Sequence, residues 1–209
     1  LLGITEHASG MVAGAPDIYF CNYIAIPRVW DNMEVILGVE ANIMDYDANL
    51  DLKDDLLKQM DIVIASMHPM CVPFGNIEQN TNAILKAMEN KYVTVIGHPG
   101  DPRYPIDEEA VMDMALKTNT LVEINYASLN PNGFRKGSDI CIKKLLNISK
   151  KRDIPIVMGS DAHISRSIAV FSNIIPIFEE LNYPKELILN TDANKFKNYI
   201  AKKRNLWCK

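Results

Sequence analysis

The segment Val93-Thr94-Val95-Ile96-Gly97-His98-Pro99-Gly100 joins a short apolar run directly to a turn that contains a histidine. The run Val93–Ile96 is rich in β-branched residues and nearly continuous in apolar character, which predicts a strand buried on both faces of a parallel sheet. Pro99 favours an extended backbone at His98 and discourages helical continuation. The segment therefore predicts a strand whose carboxyl end carries a histidine.

The same unit of a short strand followed by an amphipathic helix recurs along the chain. Strands are predicted at Leu1–Thr5, Val35–Val39, Ile62–Ala65, Val93–Ile96, Leu121–Asn125 and Ile156–Met158. Helices are predicted at Asp51–Met60, Glu78–Asn90, Asp107–Thr118, Ser138–Lys151, Arg166–Leu181 and Ala193–Lys203. The stretch Ala8–Trp30, rich in glycine, proline and aromatic residues, is predicted as a long loop with one helical turn at most. This alternation predicts an α/β fold and leaves a doubly wound sheet and a closed barrel as the two arrangements.

Composition and charge narrow the functional classes. The 209 residues are expected to form one domain, and a net charge of -4 gives no electrostatic basis for binding nucleic acid. No apolar run is long enough for a membrane span, and neither GxGxxG nor GxxxxGK(S/T) is present. Widely spaced cysteines without a CxxC pair are expected to be reduced thiols, which predicts a cytoplasmic protein. They are Cys21, Cys71, Cys141 and Cys208.

All the histidines share one kind of position, at or just beyond the carboxyl end of a predicted strand. They are His7, His68, His98 and His163. Two acidic residues share that position, because Glu40 follows Val35–Val39 and Asp161 lies two residues before His163. One such histidine alone would usually be a surface or capping residue, and Asp161 alone could cap a helix. Because the carboxyl ends of parallel barrel strands meet at one rim, the whole set predicts a common site.

The residue types at these positions are those that bind transition metals. Imidazole and carboxylate are the usual protein ligands of zinc and related ions. The set exceeds what one tetrahedral ion needs, which predicts two or three divalent ions with Glu40 as a bridging carboxylate. Clusters of this kind hold a phosphoryl group and activate water for in-line attack.

The order of motifs resembles that of stand-alone bacterial phosphoesterases of the PHP (polymerase and histidinol phosphatase) superfamily. The motifs are Thr5-Glu6-His7, Gly38-Val39-Glu40-Ala41-Asn42, Ser66-Met67-His68, Gly97-His98-Pro99-Gly100, Glu123-Ile124-Asn125 and Gly159-Ser160-Asp161-Ala162-His163. The resemblance implies a distorted seven-stranded β/α (TIM-like) barrel over residues 1–209, with a trinuclear metal site that is commonly zinc and in some members manganese or iron. It implies these metal ligands: His7, Glu40, His68, His98, Asp161 and His163.

Two features depart from the family pattern. Members often have Thr-Asp-His where this chain has Thr5-Glu6-His7, a change at a residue that is not a ligand. The family's first strand, which ends in a His-x-His pair and is followed shortly by another histidine, is absent here. The chain also opens at Leu1 inside an apolar run without an initiator methionine. We therefore expect the first barrel strand to be missing from this chain and the domain to be truncated at its N-terminus.

Polar residues beyond the fifth predicted strand are candidates for substrate binding. Arg135 and Lys136 could hold a phosphate together with the N-terminus of the next helix, or could form an exposed basic loop. Asn125 is expected to line the pocket. Ser128 is a further candidate for the pocket, and Arg103 and Arg166 are further candidates for the phosphate.

The sequence thus predicts an enzyme that hydrolyses a small phosphate monoester with a metal-activated hydroxide at the carboxyl rim of the barrel. Its expected partner is a small phosphorylated substrate, with neither membrane nor nucleic acid involved. Two alternatives remain at this point. One is an amidohydrolase-like metal-dependent hydrolase, and the other is a non-catalytic metal-binding or polymerase-associated module.

Overall fold

A computed structural model describes residues 1–206 of the chain, with side chains described up to residue 204. The strands are β1 (Leu2–His7), β2 (Val29–Trp30), β3 (Met33–Asn42), β4 (Ile62–Ser66), β5 (Val95–Ile96), β6 (Leu121–Asn125) and β7 (Ile156–Gly159). The α-helices are α1 (Asp17–Cys21), α2 (Asp54–Leu57), α3 (Ile77–Glu89), α4 (Glu108–Thr118), α5 (Ser138–Arg152), α6 (Ile175–Glu180) and α7 (Ala193–Leu206). Short 3-10 turns lie at Asn22–Ala25, Ala127–Leu129, Ser165–Ser167, Lys185–Leu187 and Leu189–Thr191. Cys208, expected to be a reduced thiol, lies outside the described residues.

The strands form one parallel sheet that curls into an open half-barrel. Their order is β1-β3-β4-β5-β6-β7, and β2 adds a short antiparallel hairpin to β3. The α/β prediction is confirmed at this level. Among residues 1–206 the outer strands β1 and β7 do not pair with each other, so the sheet is not closed. β2 brings the strand count to seven, but it is not the first barrel strand expected from the family pattern, which stays a prediction.

The register of the sheet brings the strand ends to one level. His7 pairs with Glu40 across β1 and β3, and Glu40 pairs with Ile64 of β4. Asn125 pairs with Gly159 across β6 and β7. Because neighbouring strands in a parallel sheet point the same way, these pairings gather the polar carboxyl ends along one edge.

The core explains why the short apolar runs are strands. The strand side chains pack against the surrounding helices on one face of the sheet. On the other face they pack against α7 and the turn before it, as expected for strands without a polar face. Two of the long helices begin with a side-chain cap. Asn76 forms a capping box with Gln79 before α3, and Asp107 accepts a hydrogen bond from Ala110 before α4.

Two helix predictions are wrong in extent. The helix predicted at Asp51–Met60 is reduced to α2, because the Asp51 carboxylate accepts backbone hydrogen bonds from Gly10 and Asn42 in a turn. The helix predicted at Arg166–Leu181 is interrupted by a left-handed residue at Ala169, whose φ is 57°. The helix begins only at Ile175, where a proline fits the first turn.

The long loop predicted at Ala8–Trp30 contains more regular structure than expected. It carries α1, a 3-10 turn and the strand β2. The strand was missed because β2 is only two residues long and exposed. Asp31 and Asn32 have φ values of 46° and 68°, the left-handed backbone that two-residue hairpins require.

Candidate metal centre

Glu40 is the centre of the candidate site. Its Oε1 lies 3.1 Å from Nε2 of His98 and 3.5 Å from Nε2 of His68. Its other oxygen, Oε2, lies 3.5 Å from Nδ1 of His7. The two Nε2 atoms of His68 and His98 are 3.2 Å apart. Each carboxylate oxygen therefore faces its own imidazole group.

A hydrogen-bond chain fixes the orientation of the His68 ring. Nδ1 of His68 lies 2.7 Å from Oδ1 of Asn42. The Asn42 amide nitrogen donates to Asp51, so its oxygen must accept from the ring. His68 thus carries its proton on Nδ1 and turns the lone pair of Nε2 towards Glu40. Such outer contacts set the tautomer and direction of metal-binding histidines.

His98 and Asp161 occupy strained backbone positions at the ends of their strands. Their φ values are 34° and 50°, in the left-handed region that residues other than glycine rarely adopt. The extended backbone predicted at His98 from Pro99 is therefore wrong, because the contacts of the turn override the preference that proline imposes. Strain of this kind persists where the surrounding structure holds the residue, and it concentrates at functional sites. Both of these residues were predicted as ligands from sequence.

Asp161 and His163 lie beside the centre but not in direct contact with Glu40. Oδ2 of Asp161 accepts hydrogen bonds from Nδ2 of Asn125 at 3.2 Å and from Nη1 of Arg135 at 3.3 Å. The His163 side chain is 73% exposed, and its ring centroid lies 6.1 Å from that of His7. The structure thus brings His7, Glu40, His68 and His98 together, with Asp161 and His163 at the rim.

The residues at the centre fit a divalent transition metal. One ligand atom each from His7, Glu40 and His68 lies within 4.8 Å of the others. Nδ1 of His7 is buried and has no hydrogen-bond partner among the residues that the structure describes, a situation that costs about 1–3 kcal/mol unless a ligand satisfies the nitrogen. Three imidazoles with one carboxylate is a donor set that zinc accepts readily, and manganese or iron can use the same groups.

The electrostatics of the centre favour the protonation states that metal binding needs. Burial, reinforced by the nearby His98, lowers the pKa of His68 to about 3, so this imidazole is neutral near pH 7. Burial alone would raise the pKa of the Glu40 carboxyl, but the hydrogen bond from His98 and the neighbouring imidazoles outweigh it. The pKa of Glu40 therefore lies well below its usual range, and the group is a carboxylate.

The chain is similar to several curated bacterial proteins over nearly all of its length. It is 44% identical over 207 residues to a probable phosphatase of Clostridium novyi, covering 99% of this chain and 84% of that protein. It is 40% identical over 205 residues to a probable phosphatase of Caldanaerobacter subterraneus, covering 98% of this chain and 80% of the relative. The chain belongs to this family of probable phosphatases. The prediction of a hydrolytic enzyme is confirmed at that level.

Other comparisons bear on the fold or give no match. A chain in the structure of archaeal ribonuclease P with mature tRNA matches 100% of this chain and 85% of its own length, with a TM-score of 0.61. At 17% sequence identity this likeness shows the fold alone. No family model matches the chain. Among the described residues, no helix has both the length and the apolar character needed to cross a membrane.

The predicted substrate residues of this phosphatase-family chain have different surroundings. Arg135 is largely buried and lies between two carboxylates, with Nη1 near Asp161 and Nε 3.5 Å from Oδ2 of Asp101. Lys136 is exposed in the same loop. Asn125 is buried, and its amide is engaged by neighbouring protein groups. The assignment of these residues to substrate binding stays a prediction.

The other candidates for substrate binding, two arginines and a serine, also differ in their contacts and exposure. Arg103 donates two hydrogen bonds to the buried carboxylate of Asp101. Ser128 is buried and accepts from Arg135 at 3.2 Å. Arg166 is exposed in a 3-10 turn. Arg135 is therefore the candidate held nearest to a predicted ligand, Asp161.

Sequence reasoning left several residues around the centre without a role. Asn42 and Glu123 were part of recognised motifs, but neither was assigned a function, and Asp51 and Asp101 were not considered for the site. Burial is the largest cause that raises the pKa of Glu123, to about 7, and the negative charges of Asp161 and Glu40 add to it. The nearby His98 acts in the opposite direction. The signal that could have singled out Glu123 is an acidic residue in the middle of the otherwise apolar run Leu121–Ile124.

Proposed function

We propose that the protein is a metal-dependent phosphoesterase of the PHP superfamily that hydrolyses a small phosphate monoester. The observation that carries the proposal is Glu40, each of whose two oxygens lies within 3.5 Å of an imidazole nitrogen. The unpartnered, buried Nδ1 of His7 adds a second reason to expect a ligand there. The probable phosphatases among the relatives supply the reaction class.

The proposed ligands are the six predicted from sequence, holding two or three divalent ions, zinc in the first place and manganese or iron as alternatives. Glu40 would be the carboxylate shared by the ions, and His7, His68 and His98 would hold them beside it. Ions held here would supply Lewis acidity for activating water and for polarising a phosphoryl group. His163 and Asp161, at the rim, would complete the set.

We also propose that a further strand closes the half-barrel into the seven-stranded β/α barrel and that the protein is cytoplasmic.

The residues of the chain have defined tasks in this proposal. Glu40 is held ionised, and His68 is held neutral and oriented by Asn42. Arg135 would contact the substrate phosphate, since its guanidinium lies beside Asp161 at the rim of the centre. Arg–phosphate hydrogen bonds are charge-assisted and directional, which suits a group that must be placed for attack.

Elemental analysis tests the metal part of the proposal. Protein purified without chelator is expected to carry two to three transition-metal ions per chain, and Glu40→Gln should lose at least one of them. Asp139→Asn, a matched change at an exposed carboxylate of α5, should leave the content unchanged. A metal-free protein that also fails to take up added zinc or manganese would overturn the proposal.

Steady-state kinetics on a generic aryl phosphate tests the substrate part. Arg135→Ala is expected to raise KM by about tenfold or more, the scale of a lost hydrogen bond to a charged group. Lys136→Ala, at an exposed neighbour, is expected to have a smaller effect. No phosphate release by the metal-loaded protein would favour a non-catalytic metal-binding role instead.

A further inference from the structure

Glu123 is a buried acidic residue that the proposed reaction does not require. It occupies the middle of β6, where its neighbours Val122 and Ile124 are fully buried core residues. Burying a carboxyl group is unfavourable unless hydrogen bonds compensate. Its partners therefore indicate why the chain keeps an acid at this position.

One oxygen of Glu123 accepts hydrogen bonds that lead to two predicted metal-ligand turns. The backbone N–H of His98 donates to Oε2 of Glu123 at 2.8 Å. Nδ2 of Asn125 donates to the same oxygen at 3.2 Å and also lies 3.2 Å from Oδ2 of Asp161. Glu123 thus contacts the His98 turn directly and the Asp161 side chain through one amide group.

The Asn125 amide has a fixed direction. Its oxygen accepts from the backbone N–H of Ser128 at 2.9 Å and from the Ser128 hydroxyl at 3.1 Å. Its nitrogen must therefore face Glu123 and Asp161, where it can only donate. The link between the two carboxylates is a built feature of the loop after β6.

The neighbouring strand, β7, leaves room for the Glu123 side chain at Gly159. A Cβ atom at Gly159 would lie 1.7 Å from Oε1 of Glu123, so no other residue fits there without displacing the carboxylate. Each of the two turns that Glu123 serves contains a residue with left-handed backbone, His98 in one and Asp161 in the other. Such backbone persists only where neighbouring groups hold it.

We infer that Glu123 is a positioning residue. It sets the relative placement of the His98 and Asp161 turns, and hence the distance between these two predicted ligands. This inference rests on the proposed metal-dependent function. Glu123 acts through an accepting oxygen and through its neighbours, without contacting substrate. Its conservative replacement by glutamine keeps such an oxygen, whereas alanine removes it.

Cobalt(II) binding, followed by calorimetry and by the visible absorption spectrum, tests the inference without relying on activity. Glu123→Ala is expected to weaken cobalt affinity by about 10–100-fold and to change the spectrum, the scale for losing an outer contact of a metal site. Glu123→Gln should restore affinity to within about threefold of wild type. Gly159→Ala, which displaces the carboxylate, should resemble Glu123→Ala.

The unfolding transition of the metal-free proteins separates positioning from general destabilisation. Variants that keep a cooperative transition but lose cobalt affinity support the inference, and Glu123→Ala with wild-type affinity and spectrum overturns it. If Glu123→Ala does not fold, Asn125→Leu removes the link to Asp161, together with the two hydrogen bonds from Ser128, and keeps the contact between Glu123 and His98. A wild-type cobalt spectrum in that variant overturns the inference. Wild-type protein that binds no cobalt overturns the proposed function itself, and the inference with it.

Discussion

The two ends of the sheet each bury an ionisable side chain, and they treat it in opposite ways. At the carboxyl end, Glu40 faces imidazole nitrogens, one of which has no hydrogen-bond partner. At the amino end, Lys203 of α7 is 0% exposed and donates to the carbonyl of Met88 at 2.8 Å and to the Thr120 hydroxyl at 2.9 Å. The lysine donates its hydrogen bonds to neutral groups of the protein. At the carboxyl end of the sheet, in contrast, a buried histidine nitrogen has no hydrogen-bond partner among the described residues.

This difference indicates which end binds a ligand. A buried polar group with all its partners inside the fold contributes to stability and specificity of packing. A buried nitrogen without a partner, next to a carboxylate, has a reason to bind something from outside. Changes at the carboxyl end should therefore alter metal and activity, and changes at the amino end should alter stability.

The largest expected effect is at the carboxyl end. His98→Ala and Asp161→Ala should each reduce aryl phosphate hydrolysis by at least ~10²-fold, because each removes a ligand or misplaces an ion. The measurement is kcat/KM on folded, metal-loaded protein, with Asp139→Ala as the exposed control. Near wild-type rates in both variants would place the active site elsewhere.

The next effect is a pH dependence of stability at the amino end. Burial lowers the pKa of Lys203 to about 8 from its ordinary 10.5. The unfolded chain then binds more protons than the folded one between these values, so the free energy of unfolding rises with pH across this window. We expect a gain of about 2 kcal/mol between about pH 8 and about pH 10, relative to Lys203→Met.

Urea unfolding at the two pH values, on wild type and Lys203→Met, measures this gain. The variant removes the titrating group together with its hydrogen bonds to Met88 and Thr120. The other ionisable groups are common to both proteins, so their contributions cancel when the two changes with pH are compared. Parallel pH dependences in the two proteins would show that Lys203 does not titrate in this range. Zinc affinity should be equal in both, because Lys203 lies at the other end of the sheet.

A smaller effect is expected one contact away from the centre. Asn42→Ala removes the acceptor of the His68 Nδ1 proton and should weaken zinc affinity by about tenfold, since the ring loses its fixed direction. Competition with a chromophoric chelator gives the affinity. Asn82→Ala, at an exposed asparagine of α3, serves as control, and equal affinities in the two variants would contradict the role given to Asn42.

The smallest effect separates local helix stability from the site. Asn76→Ala removes the capping box of α3 and should lower the free energy of unfolding by about 1 kcal/mol. Metal content and activity should not change, because the cap lies outside the centre. A loss of metal in this variant would mean that the stability of α3 and the geometry of the centre are coupled.

Much of the fold could be predicted because local chemistry and tertiary structure agree. Leu121–Asn125 was predicted with the observed bounds, and the strand ending at Ile96 was recognised by its apolar run. The failures have local causes. Ala169 adopts a left-handed backbone, which an alanine in a sequence does not predict, and β2 is too short to show periodicity.

The candidate site divides in the same way. Residue types and their positions after strands were enough to select His7, Glu40, His68 and His98 as neighbours, because parallel strands align their carboxyl ends. Sequence could not assign Asp51 or Glu123 a role. Each acts through hydrogen bonds to residues far away in the chain, at separations that no periodic pattern encodes.

By itself the sequence determined the alternation of strands and helices, the direction of the strands and the kinds of side chain at their ends. Only the tertiary structure decided which oxygen of Glu40 faces which imidazole and that Arg135 lies between Asp101 and Asp161. It also decided that Nδ1 of His7 has no hydrogen-bond partner within the described part of the chain. The physical reason is distance. Secondary structure follows from steric and apolar preferences of neighbouring residues, whereas hydrogen bonds and charge contacts depend on positions within about 3 Å that only the packed chain fixes.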